Sequence, residues 1–148
     1  MIRSAGPADL DSVAALLCAF RDWWGSPTPS DETFRVAAEQ LLRDPNTEFL
    51  LAGSSGLAQL RFRLSAWTGV EDCWLEDVYV ADDARGTGLG RALVEAAMER
   101  ARARGCRRAE LDVNESNTAA LALYASFGFS AAANPYGARD LYMRVHLD

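Results

Sequence analysis

The sequence contains no lysine, and all 15 of its basic residues are arginines. This absence excludes the phosphate loop G-x-x-x-x-G-K-[ST], whose lysine contacts the phosphates. His146 is the one histidine, so a metal site built from several histidines is excluded, and we expect no metal. The three cysteines form no C-x-x-C pair, which argues against a disulfide framework and a zinc site and favours a reducing compartment. They are Cys18, Cys73 and Cys106.

Long apolar runs are also missing. No run approaches the about 20 residues that a membrane-spanning helix requires, so we expect no membrane partner. The first residues, "MIRSAGPADLDSVAALL", place acids before the apolar stretch and lack a basic start. We therefore expect no signal peptide and a cytoplasmic location. A length of 148 residues suits one core, which predicts a single domain over residues 1–148.

Charge is unevenly distributed along the chain. The formal net charge of −6 argues against general nucleic-acid binding, and we expect no nucleic-acid partner. Residues 83–108 nevertheless contain seven arginines and three acids, a net of +4, which leaves −10 for the rest. This polarity indicates an anionic ligand at one place and a cationic ligand elsewhere.

The pattern of apolar residues predicts the element order β-α-α-β-β-β-α-β-α-β. Two helices are predicted after the first strand, separated by the break "DWWGSPTPS", and the strands that follow them read as antiparallel. A β-α-β crossover then includes a helix from Gly88 to about Arg104. The predicted class is mixed α/β. The predicted strands are "MIRS", "FLLAG", "LAQLRFRLSAW", "CWLEDVYVA", "RRAELDV" and "LYMRVHL".

A glycine-rich loop, "ARGTGLGR" at residues 84–91, lies between a predicted strand and the crossover helix. Glycines let the backbone approach a ligand closely, and a helix N-terminus offers unpaired N–H groups to an anion. The spacing fits a G-x-G-x-x-G dinucleotide fingerprint badly, because the third glycine comes one residue early. Glu110 lies 20 residues past Gly90, at the spacing of the acidic residue in the dinucleotide fingerprint. A nucleotide- or dinucleotide-binding enzyme therefore stays an alternative. A plain strand-to-helix turn is the other alternative.

The loop matches R-G-x-G-x-G, and a second segment, "NESNTAALALYASFGF", matches N-x-x-A-x-x-x-Y-x-x-x-G-F. With these two motifs the chain resembles the GNAT superfamily of N-acetyltransferases, most strongly between Trp74 and Phe129. The resemblance implies acetyl-CoA as cosubstrate, no metal, and a mostly antiparallel sheet in which central strands splay near a bulge in "EDVYV". It also implies a homodimer. The donor-binding residues would be Val78, Tyr79, Val80, Arg85, Gly86, Thr87, Gly88, Leu89, Gly90, Arg91, Asn117 and Tyr124.

Acetyl transfer to an amine requires a neutral amine, a donor to the oxyanion and a proton for the leaving thiolate. "LED" before "YV" resembles diamine and polyamine acetyltransferases, which implies Glu76 as the base. Adjacent strand residues point to opposite faces, so only one of Glu76 and Asp77 should face the cleft. The family motif implies Tyr124 as the acid and a backbone N–H near Val78 as the oxyanion donor. The alternatives are an exposed strand acid at Glu76 and a packing role for Tyr124.

The acceptor is the least defined part of the prediction. Acidic residues around the motif suit a cationic amine, and Trp23 and Trp24 suit stacking on it or packing under a loop. The predicted acceptor-binding residues are Trp23, Trp24, Glu76 and Asp77. Polyamines, aminoglycosides, amino acids and peptide amines all remain open. A non-catalytic acyl-CoA sensor is a further alternative, and acylation of Cys73 would require an activating base that the sequence does not place nearby.

Overall fold

Five strands form one sheet in chain order in the computed structural model, which describes residues 1–132 and 134–147. β1 to β4 pair antiparallel, and β5 pairs parallel to β4 after a helical crossover. The predicted mixed α/β class and single parallel crossover are thereby confirmed. The elements are β1 (Arg3–Ser4), α1 (Leu10–Trp24), α2 (Asp31–Arg43), β2 (Thr47–Ala52), β3 (Gly56–Leu64), β4 (Glu71–Val80), α3 (Leu89–Ala103), β5 (Ala109–Glu110) and α4 (Thr118–Ser126).

The chain divides into two compact units, Met1–Leu111 and Asp112–Asp148. The first unit contains the whole sheet with α1, α2 and α3, and the second contains α4. Each unit is described by itself below. The single domain over residues 1–148 stays a prediction.

Helix ends follow local sequence signals. The Ser30 hydroxyl accepts the Thr33 N–H at 3.1 Å and begins α2. The Asn117 side chain accepts the Ala120 N–H at 3.2 Å and begins α4. Each of these caps satisfies one backbone donor that a helix start leaves unpaired.

One face of the sheet packs against α1 and α2. The register places Phe49, Leu51, Leu57 and Tyr79 on this face, since residues directly opposite each other share a face. Their side chains are buried, and each fully buried large apolar side chain contributes about 1.5–3 kcal/mol. Their buried helical partners are Val13, Leu16, Leu17 and Ala38.

The opposite face packs against α3. A side chain at Gly56 would meet Leu93 Cδ1 at 2.9 Å, so α3 approaches the sheet backbone closely there. The other buried residues of this interface are Leu60, Phe62, Cys73, Leu75, Val94, Ala97 and Ala101. α3 packs against β3 and β4. Its N-terminus lies near the end of β4 because only residues 81–88 connect the two elements.

The predicted final strand "LYMRVHL" is wrong. Residues 141–147 form no strand, and Leu141, Met143, Val145 and Leu147 are each at least 71% exposed. The predicted strand "RRAELDV" is also shorter than expected, since β5 comprises two residues. Apolar alternation predicts an extended segment, but a strand also requires a partner for its backbone groups, and that partner is set by the tertiary structure.

Candidate functional site

The glycine loop joins β4 to α3 and leaves the start of α3 open. Gly86 and Gly88 have φ values of 73° and 86°, a left-handed conformation that other residues adopt at a cost. No side chain caps α3, and its first turn contains no acid. A Cβ atom at Gly86 or Gly88 would meet nothing within 4 Å. The loop therefore presents unpaired N–H groups and the positive end of a helix dipole to an incoming anion.

Beside this loop, β4 and β5 separate. β5 pairs with β4 only at Cys73 and Trp74, whereas β4 continues to Val80 along β3. Within the described residues, Val78 and Tyr79 have no strand partner on the edge of β4 that faces away from β3. The predicted splay is confirmed. An unpaired strand edge can bind an extended ligand through main-chain hydrogen bonds.

A β-bulge lies in the same strand at Glu76. Leu75 is opposite Leu60 and Asp77 is opposite Gln59, so Glu76 is an extra residue in β4. Bulges occur often beside active sites, where they redirect a side chain. The side chain of Glu76 is exposed. The expectation of opposite faces for Glu76 and Asp77 assumed regular alternation, which the bulge interrupts.

The register with β3 places Asp77 on the face of the sheet that packs against α1 and α2. Its cross-strand partner Gln59 is 4% exposed and lies on the face that α1 and α2 cover. Asp77 itself is partly exposed. The structure thus separates an exposed carboxylate at the bulge from a partly buried one on the α1 side.

The Arg85 side chain folds back over the end of β4. Its Nε donates a 3.0 Å hydrogen bond to the Val80 carbonyl, and its Nη1 lies 3.4 Å from an Asp82 carboxylate oxygen. The guanidinium also lies 4.2 Å from the centroid of the Trp23 ring. Arg85, in the glycine loop, therefore contacts both the end of β4 and the end of α1.

Trp23 and Trp24 end α1 and are 40% and 48% exposed. Their ring centroids lie 5.8 Å apart. Trp23 also contacts Phe20 and Tyr79, and Phe20 stacks on Tyr79 at 5.3 Å. The two tryptophans thus form the exposed border of an aromatic cluster, as both of the predicted roles, stacking and packing, require.

The arginine-rich end of α3 is neutralised by acids of the sheet. Arg100 binds both oxygens of Glu48 at 2.9 and 2.7 Å, which lowers the pKa of that carboxyl. Arg104 pairs with Glu71, and Arg108 pairs with Asp72. No sequence pattern indicates these pairs, because the partners lie far apart along the chain. They connect the end of α3 and the start of β5 to β2 and β4.

Cys73 is unsuited to covalent catalysis. Its side chain is 0% exposed, and burial raises the pKa of its thiol to about 12. A nucleophilic cysteine requires the thiolate, which this environment disfavours.

We expect Cys73 to resist alkylation by iodoacetamide at pH 8 until the chain is unfolded, because the thiol is both buried and protonated. The partly exposed Cys106 is the internal comparison, and it should react first. Mass spectrometry of peptides from folded and unfolded protein measures both. An acetyl group on Cys73 after incubation with acetyl-CoA would contradict this prediction.

The second unit contains Asn117 and Tyr124 on α4. The Asn117 carboxamide oxygen caps this helix. The Tyr124 ring contacts the Phe129 ring edge-on, with 5.8 Å between centroids, and the Tyr124 carbonyl accepts the Phe129 N–H at 3.1 Å. The motif "Y-x-x-x-G-F" is therefore a local helix end in which Gly128 takes a left-handed φ of 92°.

Two kinds of feature, a membrane-spanning helix and a metal site, are absent from residues 1–132 and 134–147. No helix there combines the length and apolarity needed to cross a membrane. The same residues contain no group of three or more histidine, cysteine, aspartate or glutamate side chains arranged to hold a metal ion.

An open glycine loop at a helix start, beside the unpaired edge of β4, can bind an extended ligand that carries a phosphate group. The family model described as the acetyltransferase (GNAT) family matches residues 13–129, and the chain belongs to this family. A protein of Arthrobacter sp. FB24 with a known crystal structure has the same fold. Its TM-score is 0.89 and its identity is 34%, over 99% of this chain and 96% of that one.

Several curated acetyltransferases are also similar to this chain in sequence, over different shares of their length. The mycothiol acetyltransferase of Beutenbergia cavernae is 37% identical over 105 residues, which cover 69% of this chain and 34% of that protein. The chain spans at most about a third of the mycothiol acetyltransferases it matches. The aminoglycoside N(6')-acetyltransferase type 1 of Serratia marcescens is 28% identical over 130 residues, covering 82% of this chain and 88% of that protein.

Proposed function

We propose that this chain transfers an acetyl group from acetyl-CoA to a primary amine by direct transfer in a ternary complex. The observation that carries the proposal is the open N-terminus of α3 behind two left-handed glycines, beside the unpaired edge of β4. Membership of the acetyltransferase (GNAT) family supports it. The location in the cytoplasm and the homodimer expected above belong to the same proposal.

The loop residues fit the diphosphate of the donor. Backbone N–H groups of residues 86–90 would hold it, and the missing Cβ atoms of Gly86 and Gly88 leave the approach open. Arg91, exposed in the first turn of α3, would add charge. The edge of β4 at Val78, Tyr79 and Val80 would pair with the amide-containing arm, with the Val80 carbonyl already bonded to Arg85. The Asn117 side chain would also bond to this arm.

Glu76 and Tyr124 would handle the protons of the reaction. The donor, when bound, supplies the activated acetyl group as a thioester. Glu76 accepts the proton that the attacking amine loses as the carbon–nitrogen bond forms, directly or through a water molecule. A backbone N–H near Val78 stabilises the negative charge on the acetyl oxygen. Tyr124 donates a proton to the sulfur as the carbon–sulfur bond breaks.

The acceptor is proposed to be a small cationic amine. Glu76 and the partly buried Asp77 supply negative charge at the centre of the sheet, and Trp24 supplies an exposed aromatic surface at the end of α1. The names of relatives include an aminoglycoside acetyltransferase and a thialysine N-epsilon-acetyltransferase, from Serratia marcescens and Sus scrofa. Both names describe amine acceptors of those proteins, which supports the same class for this chain.

Gly88→Val is expected to weaken CoA affinity at least about tenfold, because a branched side chain would fill the approach to the loop. The matched control is Gly105→Val, at the other end of α3. The φ values are 86° and 87°, and neither site has an atom within 4 Å of the added Cβ. Both variants should lose similar stability, about 1–2 kcal/mol from the left-handed backbone. Calorimetric titration with CoA should show weaker binding for Gly88→Val and unchanged binding for Gly105→Val.

Thermal shift and turnover assays test the alternatives. We expect CoA to raise the melting temperature and NAD(P) to leave it unchanged; the reverse result would support the dinucleotide-binding alternative. A panel of polyamines, aminoglycosides, amino acids and peptide amines is then assayed with acetyl-CoA and thiol detection. CoA binding with no turnover on any amine would instead support a non-catalytic acyl-CoA sensor.

A further inference from the structure

Arg85 is held by contacts of unequal strength. Its ion pair with Asp82 is exposed, since the Asp82 side chain is 80% accessible, and such pairs contribute little. The Nε hydrogen bond to the Val80 carbonyl fixes one edge of the guanidinium. The Trp23 ring, 4.2 Å away, lies against its face, and the Tyr79 ring lies 5.9 Å away. The aromatic contacts therefore supply most of the remaining restraint.

Trp23 is itself fixed by the core. Its ring centroid lies 6.1 Å from that of Phe20 and 6.5 Å from that of Tyr79. Tyr79 is 6% exposed and belongs to the buried cluster between the sheet and α1. Trp23 thus connects the rigid centre of the sheet to an arginine that begins the phosphate-binding loop.

This arrangement also indicates different roles for the two adjacent tryptophans. One face of Trp23 is covered by the chain's own guanidinium, so that face is closed to a cationic acceptor. Trp24 is the more exposed of the pair, at 48% against 40%. Stacking on an acceptor is then a role for Trp24.

We propose that Trp23 is a positioning residue for the donor site: it holds Arg85, and through Arg85 the loop that binds the donor's diphosphate. The proposal rests on the proposed function, because it assumes that the loop binds the diphosphate of acetyl-CoA. It links the end of α1, which borders the acceptor region, to the donor loop. Trp23 acts without contacting the reacting atoms.

The test compares two donors that differ in the diphosphate. Trp23→Leu should lower kcat/KM about fivefold with acetyl-CoA, which is about 1 kcal/mol. With S-acetylpantetheine, which has no diphosphate, kcat/KM should stay within twofold of wild type. Trp23→Phe keeps an aromatic face and should restore most of the loss. Trp67→Leu, at a 93% exposed tryptophan in the β3–β4 turn, is the control that should change neither value.

Equal losses with both donors would overturn the proposal, because they would indicate a role in acceptor binding or in general stability. Trp23→Met places a flexible, non-aromatic side chain at this position and replaces Trp23→Leu if that variant does not fold. If the wild type does not bind CoA, the proposed function fails. If the wild type binds CoA and the Leu and Met variants bind it equally well, only the role of Trp23 fails.

A double-mutant cycle tests the route through Arg85. Arg85→Ala and Trp23→Leu should each weaken CoA affinity, and the double variant should bind CoA about as Arg85→Ala does. Such non-additivity is expected when one residue acts through the other. Additive losses would show that Trp23 acts on the loop independently of Arg85 and would overturn the proposed route.

Discussion

Tyr124→Phe is expected to lower kcat at least about 100-fold and to leave CoA affinity unchanged. The change removes a hydroxyl and keeps the ring, so the edge-on contact with Phe129 is preserved. A positioned general acid contributes about 10²–10⁴-fold to a rate. A phenolic hydroxyl is a hydrogen-bond donor that can give its proton to a departing thiolate. Steady-state kinetics and calorimetric titration measure the two quantities.

The control for Tyr124 is Tyr136→Phe, which removes the hydroxyl of an 88% exposed tyrosine in the same unit. It should retain the wild-type kcat. Wild-type turnover in Tyr124→Phe would end the proposed acid role and leave the packing alternative, in which the ring supports Phe129. A parallel loss of CoA affinity would instead place the hydroxyl in donor binding.

Glu76→Gln is expected to lower kcat/KM for the amine about 100-fold at neutral pH. This decrease in kcat/KM is the size expected when an enzyme loses the general base that removes the proton of the amine. An alkyl amine has an ordinary pKa of about 10, so it is charged at pH 7 and loses its proton unaided at higher pH. The ratio of wild-type to variant activity should therefore shrink as pH rises from 7 to 10. Kinetics across this range measure the ratio.

Asp77→Asn is the comparison for Glu76, since it removes the neighbouring carboxylate from the α1 side of the sheet. We expect it to raise the KM for the amine, with a ratio to wild type that changes little between pH 7 and 8. A deficit in Glu76→Gln that stays constant up to pH 10 would contradict a base role and support a binding role for this carboxylate.

Helix ends and the glycine loop were predictable because their causes are local. Ser30 and Asn117 cap helices through backbone donors three residues away. The positive φ values of Gly86 and Gly88 follow from the absence of Cβ, a property of the residue itself. The order of the first nine predicted elements, and the single crossover, likewise follow from periodicity and short connections.

Strand pairing was less predictable because it depends on distant partners. Residues 141–147 have an apolar pattern that resembles a strand, yet they form none. The family resemblance implied a bulge near the splay, but its position at Glu76 has no local signal, since "LEDV" contains no glycine or proline and reads as regular strand. It arises from the register between β3 and β4, which the packing of both faces sets together.

The sequence by itself determined the glycine loop, the class of fold and the acetyltransferase (GNAT) family, because glycine placement and hydrophobic period act over a few residues. Only the tertiary structure decided what the charged and aromatic side chains contact. Arg108 pairs with Asp72, 36 residues away, and Arg85 lies against Trp23, 62 residues away by their numbers. Such contacts form when packed elements bring distant side chains together, and no local pattern encodes them.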